Sequence, residues 1–368
     1  MDKIGYVMDI SNSMKKKLDF DSSVYQRITQ QLSIVDSFKG SWKAIEGQQS
    51  KYLKELRKIA TIESIGSSTR IEGATLTDEE VEKLLKSVKI TKLQSRDEQE
   101  VVGYYEALEI ILNNYASIAL EERYIYQLHG ILLRYSIKDQ THKGQYKTLS
   151  NQVVANYPDG TQRTIFKTTE PHLTSYEMQG LITWTNERLT QRNLHPLMVT
   201  AAFVYEFLSI HPYQDGNGRL SRLLTSLLLM KQDYQFIQYI SFENLIEAKK
   251  EGYYRALMGG QKNRGKENER IDGWITFFLE CLIELTQRLE AKYEIYSKLK
   301  AYLNERQQAI LQYMKESKTT QVGELERQLK VYSRNTLKKD LIYLVKEGFL
   351  LKTGAGRGAS YHLIATST

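Results

Sequence analysis

The chain has 368 residues with a net charge of +7, four prolines and one cysteine, Cys281, which excludes intrachain disulfides and cysteine metal clusters. Its length leaves room for two or three domains, each with its own core. No run of eighteen apolar residues occurs and Met1 to Asp9 lacks an apolar stretch of signal-peptide length, so the expectation is a cytoplasmic protein with no membrane partner.

Scarce proline and abundant Leu, Glu, Lys and Gln predict a mainly α protein. An N-terminal helical region spans residues 1–95. Within it, Ser68 and Glu72 stand four residues apart and share a helical face, and Gly73 is a natural stop. Thr77-Asp78-Glu79-Glu80 reads as a capping box opening the next helix. A central section covers 96–265. Glu98 to Asn114 and Leu120 to Ser136 read as amphipathic helices, with Val101, Tyr105, Leu108, Ile111 and Leu112 on the buried face of the first. Gln152 to Asn156 and Thr164 to Lys167 flank a Pro158-Asp159-Gly160 turn, the pattern of a β-hairpin. Val199 to Ile210 then reads as a mostly buried helix that Pro212 helps to end, with His211 at the junction.

The segment from His211 to Arg222 is the densest in chemistry. An imidazole that titrates near neutrality can take a proton from an incoming hydroxyl. Asp215 offers a hard oxygen suited to Mg²⁺. Gly216 and Gly218 let the backbone approach an anion, and a helix starting at about Gly218 points its free N–H groups at the same place. Arg219 and Arg222, three apart, are expected to share a face and reach phosphates as fork-shaped donors.

This segment resembles the Fic-family signature H-x-F-x-(D/E)-G-N-G-R-x-x-R, with Tyr213 where Phe is usual. The resemblance implies an all-helical core that binds ATP with Mg²⁺ and transfers AMP to a protein hydroxyl. It implies His211 as general base and Asp215 as metal ligand. Gly216, Asn217 and Gly218 would hold the inner phosphates, and Arg219 and Arg222 the outer ones. The intact G-N-G-R portion favours adenylylation over other transfers. Ser68 to Gly73 looks like the family's inhibitory motif, which implies a salt bridge from Glu72 to Arg222. The hairpin at 152–167 is similar to the family's flap, which docks a protein target by strand addition. Tyr253-Tyr254-Arg255-Ala256-Leu257 resembles the segment lining the adenine pocket, with Tyr254 against the purine and Gln261 at its edge.

A helical connector at 266–302 leads to residues 303–368, which carry +5 of the chain's charge. Helices at Gln307–Lys315 and Val322–Leu329, a third capped by Ser333, and a terminal hairpin look like a small α+β winged helix-turn-helix. Arg334, Asn335, Lys338 and Lys339 would face duplex DNA, with Arg357 on the wing. The leading expectation is an auto-inhibited adenylyltransferase. A de-AMPylating hydrolase on the same site, and a DNA-binding regulator with a nucleotide-responsive Fic scaffold, stay open, as does a homo-oligomer.

Overall fold

Helical periodicity is realised along most of the chain. The structure, a computed structural model, describes residues 3–47, 51–87, 93–156, 162–300, 304–354 and 356–364. Four helices fill the N-terminal region: α1 (Lys3–Lys17), α2 (Ser22–Glu46), α3 (Lys51–Ile71) and α4 (Asp78–Ser87). α3 stops just before Gly73, whose φ of 106° a side chain would resist. α4 opens on a reciprocal cap, in which the Thr77 N–H donates to the Glu80 carboxylate at 2.8 Å and the Glu80 N–H donates to the Thr77 hydroxyl.

α5 (Arg96–Asn114) begins on a capping box of Ser95 and Glu98, and α6 (Glu122–Leu132) is shorter than the expected Leu120–Ser136. Tyr104, not Tyr105, lies on the buried face of α5, because Val101, Leu108 and Ile111 fix the stripe and Tyr104 falls three residues from the first. β1 (Gln152–Asn156) and β2 (Gln162–Lys167) pair antiparallel with a register shift between Val153 and Val154. The Pro158-Asp159-Gly160 turn lies outside the described residues, as do the side chains of 153–165.

α7 (Pro171–Gln191) packs on α8 (Pro196–Ile210), and α8 on α9 (Asn217–Lys231). Pro196 starts α8 where a missing N–H costs nothing, and His195 caps it. Every residue of α8 from Leu197 to Ile210 is buried. A helix apolar on all sides belongs at the centre of a fold. α10 (Phe242–Ala248), α11 (Lys250–Gln261) and α12 (Asp272–Lys300) follow. Among the described residues, no helix is long and apolar enough to cross a membrane.

The last section builds α13 (Glu305–Ser317), β3 (Thr319–Gln321), α14 (Val322–Gln328), α15 (Arg334–Lys346), β4 (Leu350–Thr353) and β5 (Ser360–Leu363). The three strands form an antiparallel sheet in the order β3–β5–β4, so the terminal hairpin gains a third strand. Thr319-Thr320-Gln321 is too short to show alternation in sequence. Ile310, Met314, Leu325, Leu337, Leu341, Leu344, Leu350 and Tyr361 close the core of this section.

The chain divides into two compact units, Met1–Ile45 with Leu56–Leu289, and Glu46–Glu55 with Glu290–Thr368. The expected N-terminal region therefore does not stand apart from the catalytic core. Lys17 of α1 is buried in an ion cluster with Glu206 of α8 at 2.6 Å and Glu269 at 3.3 Å. Nor is 266–302 a bare connector. Trp274, Ile275, Phe278 and Leu282 of α12 are buried, and α12 belongs to the first unit up to Leu289.

Candidate active site

His211 caps the C-terminal end of α8 in a left-handed conformation, φ 53° and ψ 61°. Such a backbone is uncommon for a non-glycine residue and persists only where its surroundings hold it. Here they do. The Lys147 N–H donates to the Pro212 carbonyl at 2.9 Å, and the Lys147 ammonium donates to the Ile210 carbonyl at 3.0 Å. The Asn151 amide donates to the Tyr213 carbonyl at 2.9 Å. The carbonyls on both sides of His211 are thus gripped by one lysine, which sequence reasoning missed because it lies 64 residues upstream. Burial lowers the Lys147 ammonium to about 8.

The His211 ring is set for one role. Nδ1 lies 3.3 Å from the Leu208 carbonyl, which can only accept, so Nδ1 carries the proton and Nε2 keeps its lone pair. Burial is the main influence on the ring and lowers it to about 4, with Lys147 pushing the same way. The neutral, proton-accepting form therefore prevails at pH 7.

The loop after His211 is clamped by its own side chains. Asn217 accepts from the Tyr213 N–H at 2.9 Å and donates to the Tyr213 carbonyl at 2.7 Å. Its amide is buried and occupied, so the expected role of the Asn217 side chain as a phosphate ligand gives way to a loop clamp. Tyr213 stacks on the buried His129 ring with centroids 3.8 Å apart. His129 in turn bonds the Asp215 carbonyl at 3.0 Å and accepts from the Gly144 N–H at 2.8 Å. Burial lowers His129 to about 4, which keeps it neutral. Gly216 has φ 81° and no side chain caps α9, so the first amides of that helix face the site.

The two arginines do not act together as expected. Arg219 is 1% exposed and points inward, with one nitrogen 3.0 Å from Glu100 of α5 and another 3.0 Å from Asp215. The Glu100 contact is a charge pair without a well-aligned hydrogen bond. A guanidinium so enclosed is engaged with Glu100 and Asp215 rather than presented to the open end of α9. Arg222, one helical turn on, meets α3 instead. Its Nε donates to the Ser68 hydroxyl at 2.8 Å, and its terminal nitrogen donates to the Ser68 carbonyl at 2.8 Å and to Glu72 at 2.9 Å. Burial works against the charge on Glu72, but Arg222 and Arg219 outweigh it and hold the carboxyl below its ordinary range.

Glu72 also sits over Gly218. A Cβ on Gly218 would run into the Glu72 carboxylate, so the glycine leaves room for an anion at the open end of α9 and a carboxylate fills that room. Tyr254 is half-buried nearby. Burial and the Glu72 charge push its hydroxyl up to about 12. Gln261 departs from its expected place at a purine edge. It is buried and donates to the Ser209 hydroxyl at 3.1 Å, because the end of α11 packs directly on α8.

Asp215 offers the loop an acidic side chain that a metal could use. Burial raises it, but Arg219, Lys138 and the Gly216 N–H together bring it to about 2. Its second oxygen lies 2.6 Å from the half-exposed Lys138 ammonium. Among the described residues no group of three acidic, histidine or cysteine side chains could hold a metal alone. An ion at Asp215 would therefore need phosphate oxygens and water to complete its shell, which is how Mg²⁺ is commonly bound beside nucleotides. The donor set fits, with Lys138 yielding the outer oxygen.

In the C-terminal unit, Asn335, Lys338 and Lys339 stand exposed on α15, and Arg334 pairs with Glu326 at 2.8 Å. The Arg357 backbone lies in a short 3₁₀ turn between β4 and β5, and its side chain is outside the described ones.

This architecture and this loop have counterparts among known proteins. Residues 119–229 match the Fic/DOC family, and residues 306–359 match the DeoR-like helix-turn-helix domain. The chain carries a Fic/DOC domain followed by a C-terminal helix-turn-helix domain. It is 30% identical over 207 residues to protein adenylyltransferase Fic of Drosophila persimilis, a match covering 55% of this chain and 38% of that protein. The chain thus spans under two-fifths of the curated relatives it matches. In fold it is similar to a Fic family protein of Desulfovibrio desulfuricans, with a TM-score of 0.64 and 20% identity over 96% of this chain and 99% of that one. A Fic domain containing signaling protein of Bacteroides thetaiotaomicron shares the fold at a TM-score of 0.55 and 24% identity, over 73% of this chain and 97% of its own.

Proposed function

We propose that this chain is an auto-inhibited protein adenylyltransferase that transfers AMP from ATP to a Ser, Thr or Tyr hydroxyl of a protein. The observation that carries the reading is the Glu72 carboxylate, which pairs with Arg222 at 2.9 Å and lies over Gly218. It stands where a phosphate would otherwise sit, at the open end of α9.

In this reading His211 Nε2 accepts the hydroxyl proton while the oxygen attacks the α-phosphorus, and pyrophosphate leaves. The Gly216–Gly218 backbone holds the inner phosphates, and Arg222 takes the γ-phosphate once Glu72 moves away. Asp215 holds Mg²⁺, which neutralises phosphate charge when bound. Arg219 and Glu100 fix Asp215 rather than touch the nucleotide. Tyr254 lines the adenine side. A target segment adds to the free edge of the β1–β2 hairpin, with main-chain hydrogen bonds supplying affinity. The C-terminal unit recruits the enzyme to duplex DNA.

The test is incorporation of radiolabelled AMP by wild type, Glu72→Gly, Arg222→Ala and the double variant. Glu72→Gly should label itself well above wild type. Arg222→Ala should be inactive with or without Glu72, because both changes act through one guanidinium. No gain in Glu72→Gly would sink the inhibitory reading, and release of AMP from a modified protein by wild type would move the chain to the hydrolases.

A further inference from the structure

The carbonyls of Ile210, His211, Pro212 and Tyr213 each accept from Lys147 or Asn151. The Lys147 ammonium donates to Ile210 at 3.0 Å and the Lys147 N–H to Pro212 at 2.9 Å. The Asn151 amide donates to Tyr213 at 2.9 Å and to His211 at a longer 3.5 Å. A carbonyl only accepts, so the Asn151 nitrogen must face the loop and its side-chain oxygen must face away. That oxygen accepts from the Lys147 ammonium at 2.8 Å, and the Thr168 hydroxyl accepts from the same ammonium at 2.8 Å. Three acceptors use three protons, which only the charged form carries. Burial lowers the group no further than about 8, so it keeps all three at pH 7.

Asn151 directly precedes β1 and Thr168 directly follows β2, so both roots of the hairpin end on this ammonium. The roots are also tied to each other, since Thr168 donates to the Asn151 carbonyl at 2.9 Å. One residue on, Thr169 donates to Glu177 of α7 at 2.6 Å. Arg264 then joins Glu177 at 3.1 Å to Glu206 of α8 at 2.8 Å. The exit of the hairpin is therefore fastened to α8 as well as to the loop that follows α8. Lys147, Thr168 and Thr169 are buried, so these bonds are strong and do not compete with bulk water.

We propose that Lys147, Asn151 and Thr168 are positioning residues that lock the roots of the hairpin to the backbone of His211, so that the element that docks the target also aims the base. This rests on the reading of His211 as general base and of the hairpin as the docking edge. A left-handed His211 needs outside support, and these three side chains at the root of the hairpin supply it. The nucleotide side is held separately, because Asn217 clamps Tyr213 from within the loop at 2.9 and 2.7 Å. Loosening the hairpin root should therefore misplace the imidazole and leave the phosphate-holding amides where they are.

Two variants of the full chain test it, each with and without Glu72→Gly. Lys147→Met removes the ammonium and its three donors, and Thr168→Val keeps the volume and removes only the hairpin link. The readouts are self-labelling from radiolabelled ATP, ATP affinity by calorimetry with Mg²⁺ present, and the tautomer of His211 by nitrogen NMR of histidine-labelled protein. With six histidines in the chain, His211→Ala identifies the signal. In the Glu72→Gly background, Lys147→Met should slow self-labelling about a hundredfold, the effect of misplacing a reacting group by about an ångström. Thr168→Val should slow it about tenfold, the size of one hydrogen bond to a charged group. In both, ATP affinity should stay unchanged, and the Nδ1–H form of His211 should give way to a mixture of tautomers. Thr168 bonds to Lys147 and Asn151 and not to the catalytic loop, so a purely local role would leave the His211 signal alone. An unchanged His211 signal in Thr168→Val overturns the proposal. So does an ATP affinity that falls in step with labelling, which would mean a general loss of structure. If Lys147→Met does not fold, Thr168→Val decides alone. If Glu72→Gly fails to label itself, the auto-inhibited transferase reading falls, and the tautomer, which needs no activity, still decides the proposal.

Discussion

Arg219 and Arg222 in the first unit are all but sealed from water, and each grips a carboxylate, Glu100 of α5 and Glu72 just past α3, whereas Lys338 and Lys339 in the second unit stand in solvent on α15. Both pairs come from basic stretches of similar appearance. Burial makes the difference. A buried guanidinium is fixed by partners in a low dielectric, so losing one partner is expensive and moving one partner acts as a switch. An exposed ammonium is screened by salt and contributes little to folding, so what it offers is attraction at a distance. The contrast predicts large, all-or-none effects in the first unit and graded, salt-dependent ones in the second.

The sharpest break should come at His211. Its ring has one proton-accepting nitrogen and no role in holding phosphate, so His211→Ala should lower AMP transfer by about 10²–10⁴. ATP affinity measured by calorimetry should stay near wild type. Transfer at the wild-type rate in a labelled-ATP assay would remove His211 from the mechanism.

Asp215→Ala ranks next. The change removes the loop's own carboxylate and leaves Arg219 braced by Glu100 alone. Titration of ATP with and without Mg²⁺ should show the metal-dependent part of the affinity reduced about tenfold or more. An unchanged Mg²⁺ requirement would place the ion elsewhere.

Two imidazoles, the buried His129 and the half-buried His211, add a pH signature. His129 and His211 both fall to about 4, against about 6.5 in an unfolded chain. A depressed pKa contributes stability that is present above the unfolded value and is lost as pH falls toward the folded one. For the fully buried His129 the loss should reach about 2 kcal/mol by pH 5. Thermal unfolding at pH 7 and pH 5 should therefore show a lower midpoint in acid, with a shallower fall in His129→Gln. Transfer by Glu72→Gly should hold level from pH 8 to pH 5 and decline only as pH nears 4. A rate that falls through pH 6.5 would mean that the His211 ring is not desolvated in the working enzyme.

What could be read from sequence, and what could not, divides along the same line of burial. The resemblance of two short motifs, 150 residues apart, to the Fic family's inhibitory and catalytic signatures implies the pairing of Glu72 with Arg222, which neither motif's own spacing shows. The capping box at Thr77 and Glu80 is local. Arg219 is different. Its register with Arg222 says that both lie on one helix, but Glu100, which turns it inward, lies on another helix with no spacing signal to connect them. Lys147 escaped for the same reason, since its partners are backbone carbonyls and side-chain oxygens brought together by packing. Gln261 was misplaced because a polar residue seven positions past Tyr254 reads as pocket-facing, until the packing of α11 on α8 shows it buried against Ser209.

The smallest effect should come from the second unit. Lys338 and Lys339 are exposed neighbours on α15, while Arg334 is partly neutralised by Glu326 at 2.8 Å. If this helix meets the phosphates of duplex DNA, each lysine that contacts one phosphate contributes about one unit to the slope of log affinity against log salt. Lys338→Ala with Lys339→Ala should therefore reduce that slope by about two, weaken binding evenly across sequences and leave AMP transfer untouched. Arg334→Ala should change the slope less, because its charge is already shared with Glu326. A gel-shift titration at low salt decides. Absence of binding at high micromolar protein would assign the helix-turn-helix to protein docking, and a loss confined to particular sequences would mean that the lysines read bases rather than backbone.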